Sequence, residues 1–80
     1  MKKDKVEYVL DLTEMLENEL KTTYEGIENG KDWQDYMRTS LDAYYQFIEW
    51  YNEEGIINYD LEGIKQRDKE RFSLVFEEEE

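Results

Sequence analysis

The fold is decided by residues 32–54, which read DWQDYMRTSLDAYYQFIEWYNEE. Apolar side chains recur there at intervals of three and four residues, which is the spacing of one face of an α-helix. They form two adjacent rows: Trp33, Met37, Leu41, Tyr44, Ile48 and Tyr51 in the first, and Tyr36, Ala43, Phe47 and Trp50 in the second. A helix with so wide an apolar surface either lies in the centre of a bundle or exposes one row to a partner.

The residues before this stretch predict a first helix over residues 4–29. Its apolar face is narrower, with Val9, Leu12, Leu16, Leu20 and Ile27 at helical spacing. Asp4 followed by Glu7 is the pattern of a capping box, and Asn29-Gly30 is a typical helix end. A helical hairpin of residues 4–29 and 32–54 follows, and its first helix is too small to cover both apolar rows of the second.

The C-terminal third predicts a third helix that Asp60 caps and that ends near Phe72. Its basic residues between Lys65 and Arg71 are expected to pair with the acidic helices or to balance charge within the fold. Residues 72–76, FSLVF, alternate like a short strand or a docking segment. The sequence therefore predicts an all-α fold, a hairpin plus a third short helix or strand-like segment with acidic outer faces. Residues 1–76 form one domain in this prediction, and residues 77–80 a disordered acidic tail.

Charge is the strongest signal about function. Twenty-two acids and ten bases give a net charge of −12, and residues 6–64 contain only three bases, Lys21, Lys31 and Arg38. Such a chain is repelled by nucleic acid and by anionic membranes, and it is attracted to basic protein surfaces. No apolar run approaches the length of a membrane span, and no apolar segment follows the N-terminal lysines. The prediction is a cytoplasmic protein with a basic protein partner.

The composition also argues against catalysis. The chain has no histidine and no cysteine, so the most common general base, the thiol nucleophile and the main zinc ligands are all missing. Its four glycines are scattered and form no phosphate-binding loop. We therefore predict no enzymatic activity, no cofactor and no metal site.

The candidate binding residues are carboxylates and aromatic rings on the two long helices. Asp35, Asp42 and Glu49 repeat every seven residues, about 10 Å apart along a helix. A row of carboxylates beside aromatic rings can imitate phosphates beside bases. The acidic candidates are Asp35, Asp42, Glu49, Glu53 and Glu54 on the second helix, and Glu7, Asp11 and Glu14 on the first. The aromatic candidates, for a partner or for a homodimer, are Trp33, Tyr36, Phe47 and Trp50.

In size, net charge and carboxylate rows (Asp35, Asp42 and Glu49 with Glu53-Glu54), the chain resembles small acidic inhibitors encoded by phages and mobile elements. These include anti-CRISPR and antirestriction proteins of the DNA-mimic type. The resemblance implies an inhibitor that blocks the nucleic-acid channel or the assembly of a defence nuclease in the host cytoplasm. Bacteriocin immunity proteins and antitoxins, which neutralise a basic toxin, are similar in size and acidity. A non-catalytic regulatory homodimer is the third alternative.

Overall fold

The computed structural model describes residues 4–76, which form four helices and no strand. The helices are α1 (Lys5–Glu28), α2 (Gln34–Glu53), α3 (Leu61–Arg71) and α4 (Ser73–Phe76). The predicted all-α fold is confirmed, and α1 and α2 form the predicted antiparallel hairpin. The predicted disordered tail, residues 77–80, lies outside the described residues.

Both long helices end in a glycine with a positive φ angle. At the end of α1, Gly30 has a φ of 93°, and its amide donates to the carbonyl of Ile27 at 3.0 Å. The amide of Lys31 donates to the carbonyl of Gly26 at 2.9 Å. These two bonds make a Schellman motif, in which glycine supplies the left-handed residue that reverses the chain. Gly55, with a φ of 77°, ends α2 in the same way.

The helix starts differ from one another. Asp4 is the N-cap of α1, but its side chain accepts no hydrogen bond, so the predicted capping box does not form. Trp33 is the N-cap of α2, so the helix begins at Gln34, two residues after the predicted start at residue 32. Asp60 caps α3 as predicted, because its Oδ1 accepts from the amide of Gly63 at 3.2 Å. A Cβ at Gly63 would lie 2.6 Å from Asp60 Oδ2, so glycine gives this cap its room.

The core lies between the hairpin and the C-terminal helices. The middle of the first apolar row of α2 is buried in this core, as the sequence pattern predicts. The buried apolar members of the core are Val9, Leu20, Tyr24 and Ile27 of α1, Met37, Leu41, Tyr44 and Ile48 of α2, and Ile57, Phe72 and Val75. Trp33 begins the same row but is 41% exposed, because it precedes the helix and its ring lies over Gly26 of α1.

The prediction of a strand-like segment at residues 72–76 is wrong, since Ser73–Phe76 is a short helix. The amide of Val75 donates to the carbonyl of Phe72 at 2.9 Å, a bond within a helical turn. Phe72 and Val75 are both buried, so their spacing of three residues follows a helical turn and not the two-residue repeat of a strand. In the described part of the chain there is also no strand that could pair with this segment.

The connection between α2 and α3 is held by one side chain of α2. The amide nitrogen of Asn52 donates to the carbonyl of Tyr59, and its amide oxygen accepts from the Tyr59 N–H, both at 2.9 Å. Ile57 is buried in the core at the same place. This anchored connection brings α3 and α4 back across one side of the hairpin.

Candidate partner-binding surface

The hairpin has two broad faces, and α3 and α4 cover one of them, which we call the covered face. The rings of Phe72 and Tyr24 pack at a centroid distance of 4.9 Å. The Tyr24 hydroxyl accepts from the amide of Leu74 at 3.2 Å. On the α2 side, Arg38 Nε donates to the carbonyl of Val75 at 3.4 Å. These contacts leave the opposite face of the same two helices as the candidate surface for a partner.

At the centre of the covered face lies a carboxylate that is removed from solvent. Asp68 of α3 is 0% exposed. Its Oδ1 accepts from Arg71 Nε at 2.8 Å, and its Oδ2 accepts from the hydroxyl of Tyr45 at 2.9 Å. Arg67 approaches the same carboxylate at 3.4 Å. A buried charge is tolerated when it is paired and hydrogen-bonded, as it is here.

Glu17 of α1 completes the arrangement, which we call the buried ion network (Glu17, Tyr44, Tyr45, Arg67, Asp68 and Arg71). The Glu17 carboxylate accepts from Arg67 at 2.7 Å, from Arg71 at 2.9 Å and from the Tyr44 hydroxyl at 2.9 Å. The network therefore ties α1, α2 and α3 together. The predicted pairing of the basic C-terminal residues with an acidic helix is confirmed at Arg67 and Arg71.

The network shifts the pKa values of its members. Burial of Glu17 acts to raise its pKa, but hydrogen bonds from Arg71 and Tyr44 and the charges of both arginines lower the pKa overall. Burial and the neighbouring carboxylate raise the pKa of Tyr44 well above 10. Burial and Asp68 do the same for Tyr45. At neutral pH the lowered pKa keeps the Glu17 carboxylate ionised, and the raised pKa values keep the hydroxyls of Tyr44 and Tyr45 neutral.

These raised tyrosine pKa values predict a loss of stability in alkali. A group whose pKa is higher in the folded state stabilises the fold below its unfolded value, here about 10. That stabilisation is lost as the pH rises toward the folded-state pKa. We expect Tyr44 and Tyr45 to ionise only as the helices unfold, which tyrosinate absorbance and circular dichroism measured on one sample will test. In the Tyr45→Phe variant, one tyrosine fewer should ionise together with the unfolding of the helices. Ionisation of every tyrosine near pH 10 with the helices intact would contradict this expectation.

On α2, the face opposite the covered face carries the predicted second apolar row. Tyr36 and Tyr45 are nine residues apart, which places them on opposite sides of the helix at about 100° per residue. Tyr36 is 55% exposed and Trp50 is 65% exposed, whereas Phe47 is half-buried against Tyr51. The indole N–H of Trp50 donates to the carboxylate of Glu54. This row is therefore a surface of large rings with a carboxylate at its end.

α1 contributes its own apolar residues to the same face. Tyr8 and Glu17 are nine residues apart, so Tyr8 also points away from the covered face. Tyr8 is 54% exposed and Met15, seven residues later, is 65% exposed. Glu19 lies on this side too, because its carboxylate accepts from the Tyr36 hydroxyl of α2 at 2.9 Å. We call this combined surface the open face (Tyr8, Met15, Glu19, Trp33, Tyr36, Phe47, Trp50 and Glu54).

The predicted acidic residues lie at different places around the hairpin. Asp35, Asp42, Glu49 and Glu53 form the outer edge of α2, and Glu7, Asp11 and Glu14 follow the outer edge of α1. The two rows are on opposite edges and do not form one cluster. Asp35 contacts Arg38 at 3.3 Å, and Asp42 and Glu49 line a narrow groove that Lys65 of α3 also lines. Glu54 lies instead on the open face, 3.9 Å from Lys5.

Glu14 lines a larger groove on the side of the covered face. This groove has a volume of about 900 Å³ and runs between α1 and residues 58–67. Its lining mixes both charges, with Glu17 and Asp60 beside Lys21 and Arg67. The groove therefore lacks the one-sided charge that would select a basic ligand.

Several residues matter here that the sequence patterns did not single out, among them Glu17, Asp68, Tyr8 and Met15. Glu17 and Asp68 look like any other acids in a chain with 22 of them. Tyr8 and Met15 carry a weak signal, since their seven-residue spacing marks a second apolar row on α1. That row is hard to recognise in the sequence because α1 has a clearer apolar stripe on another side.

Two further observations bear on the kind of site that the chain offers. Among residues 4–76, no group of three acidic side chains is arranged to hold a metal ion. The helices of this part of the chain are also too polar, or too short, to cross a lipid bilayer.

Comparisons with known protein families, with curated proteins and with solved structures find no match for this chain.

Proposed function

We propose that the protein is a cytoplasmic inhibitor that binds a basic, nucleic-acid-binding surface of a partner protein. The observation that carries this proposal is the exposed surface of α2. One side of that helix carries the rings of Tyr36 and Trp50, and its outer edge carries Asp35, Asp42, Glu49 and Glu53. Carboxylates supply long-range attraction, and exposed rings are the side chains that most often anchor interfaces.

The internal use of the basic residues supports the same proposal. Arg67 and Arg71 are paired with Glu17 and Asp68, so the charges of these two cations are balanced within the fold. The field around the hairpin is therefore dominated by its acidic edges. In this proposal the partner is a defence nuclease or a similar effector, as the resemblance to acidic phage-encoded inhibitors implies. A dedicated toxin would instead make the protein an immunity protein or an antitoxin.

The proposal is tested by capturing the partner and then measuring whether the protein displaces nucleic acid from it. The immobilised protein is used to retain its partner from host cells, and the purified partner is loaded with fluorescently labelled nucleic acid. We expect stoichiometric addition of the protein to displace the nucleic acid, as measured by fluorescence anisotropy. Trp50→Ala should weaken displacement about thirtyfold, the effect of losing an interface hot spot. Leu74→Ala, which removes another exposed apolar side chain, is the matched control and should change little.

The identity and behaviour of the captured protein decide between the alternatives. A partner whose nucleic-acid binding is unaffected by stoichiometric protein would refute the proposal. A captured toxin that has no nucleic-acid site would support the immunity or antitoxin alternative.

A further inference from the structure

We infer that the open face binds one amphipathic, basic α-helix of the partner, laid along the seam between α1 and α2. This inference rests on the proposed function and specifies the element of the partner that is recognised. It is carried by the shape of the open face, by the position of its carboxylates and by the way α3 already occupies the opposite face.

The covered face shows how this hairpin receives the basic side chains of a helix. α3 carries four basic and three acidic residues, and its basic side chains at Lys65, Arg67 and Arg71 contact the hairpin against which it packs. Its arginines reach across to Glu17 of α1, and Lys65 lies 5.6 Å from the centre of the Tyr45 ring. The half-buried side chains of Leu61 and Ile64 pack against the core. Carboxylates and rings on the hairpin thus receive basic and apolar side chains from one helix.

The open face repeats these features without an element of residues 4–76 lying on it. Glu19 and Glu54 are near the seam, each hydrogen-bonded to an aromatic side chain of α2. Exposed rings of Tyr36 and Trp50 take the position that Tyr45 has on the other side. Beyond the rings, Asp35 and Glu53 on the edge of α2 are within reach of long lysine and arginine side chains from a helix on the seam.

The dimensions of the open face fit a helix. The apolar residues of α2 from Trp33 to Trp50 extend along about 26 Å of helix, and Tyr8 and Met15 of α1 run beside them. Two antiparallel helices form a shallow trough between them, and a third helix can pack into it about 8–10 Å from both axes. An extended peptide has no sheet edge to join here, because residues 4–76 contain no strand.

Charge selects a basic helix over a second copy of the chain. Each copy carries a net charge of −12, so two open faces would meet with strong mutual repulsion. Their carboxylates at Glu19 and Glu54 would also approach one another with little positive charge between them, since Lys5 is already 3.9 Å from Glu54. A helix with lysines flanking an apolar stripe matches both the rings and the carboxylates.

Designed peptides test the inference on the full-length protein. The first is a helix of about twenty residues with leucines at a helical spacing and lysines on both sides of that stripe. The second has the same composition with the leucines scattered, so its charge is equal but it has no stripe. Trp33 and Trp50, the only tryptophans of the chain, lie on the open face, and their emission reports binding. We expect the striped peptide to bind at least about tenfold more tightly and to shift this emission to shorter wavelength.

Two variants with the same change in charge locate the binding site. Met15→Glu places a carboxylate on the open face, and Asn58→Glu places one at an exposed position of the connection on the other side. We expect Met15→Glu to lower the affinity for the striped peptide about tenfold and Asn58→Glu to change it less than about twofold. Circular dichroism checks that both variants keep their helices.

Several results would overturn the inference. Equal affinity for the two peptides would show attraction by charge alone, and equal losses in the two variants would place the peptide elsewhere. A dimer in light scattering, with tryptophan emission that changes on dilution, would assign the open face to a second copy. If the peptides fail while the captured partner still loses its nucleic acid, the inference falls and the proposed function stands. If the striped peptide binds but no nucleic acid is displaced, the proposed function falls.

Discussion

Asp68→Ala is expected to cost about 3–5 kcal/mol of folding free energy, the loss that follows when one partner of a buried ion pair is removed. The substitution leaves the Tyr45 hydroxyl without its acceptor and removes the carboxylate 2.8 Å from Arg71. Domains of this size have a total stability near the low end of about 5–15 kcal/mol. We therefore expect a largely unfolded or barely folded protein in urea titrations followed by circular dichroism.

The matched control is Glu70→Ala on the same helix. It removes the same charge from an exposed position, where substitutions change stability by about 0.5 kcal/mol or less. The change in net charge is equal in the two variants, so the difference between them reports the loss of the buried contacts of Asp68. A loss below about 1 kcal/mol in Asp68→Ala would show that α3 is held mainly by its apolar contacts.

Reversing Asp35, Asp42 and Glu49 to lysine is expected to slow association with the captured partner about tenfold or more at low salt. Each reversal changes the net charge of −12 by two units and replaces attraction by repulsion along the edge of α2. The difference in association rate between the variant and the unchanged protein should shrink at high salt, because the screening length falls to about 3 Å at about 1 M ionic strength. Stopped-flow fluorescence of the tryptophans measures the association rate.

A second triple reversal supplies the control for net charge. Glu28, Glu62 and Glu70 are exposed acids outside both the open face and the outer edge of α2. Their reversal to lysine makes the same change in net charge, so we expect a much smaller loss of rate. Equal losses would mean that only total charge matters and that the row on α2 has no special part. Unchanged binding by the first variant would refute the imitation of phosphates by that row.

The hairpin was predictable from the sequence because its signals are local. Glycine at residues 30 and 55 marks two helix ends, and the spacing from Met37 to Ile48 identifies the buried side of α2. The exposure of the second row also follows from counting, since one helix of 24 residues cannot cover two rows of rings. Whether these rings bind a partner stays a prediction that the proposed experiments test.

What escaped the sequence patterns depends on contacts between distant residues. Nothing near Glu17 indicates that Arg67 will lie beside it, because the two are 50 residues apart. The prediction of a strand-like segment at residues 72–76 is wrong for a related reason, since five residues fit either the helical or the strand repeat until their packing is known. The acidic rows could be placed on their helices, but their separation onto opposite edges depends on how the helices turn toward each other.

The buried ion network also has a consequence for how the chain folds while it is synthesised on the ribosome. The residues of the hairpin, Lys5 to Glu53, are translated before Arg67 and Arg71. Until then Glu17 has no arginine to pair with, and Tyr24, Leu41 and Ile48 lack the cover that α3 and α4 provide. The hairpin therefore has apolar surface on both faces until α3 and α4 have formed and packed onto it. Only then do the two faces become different, with one closed and one open.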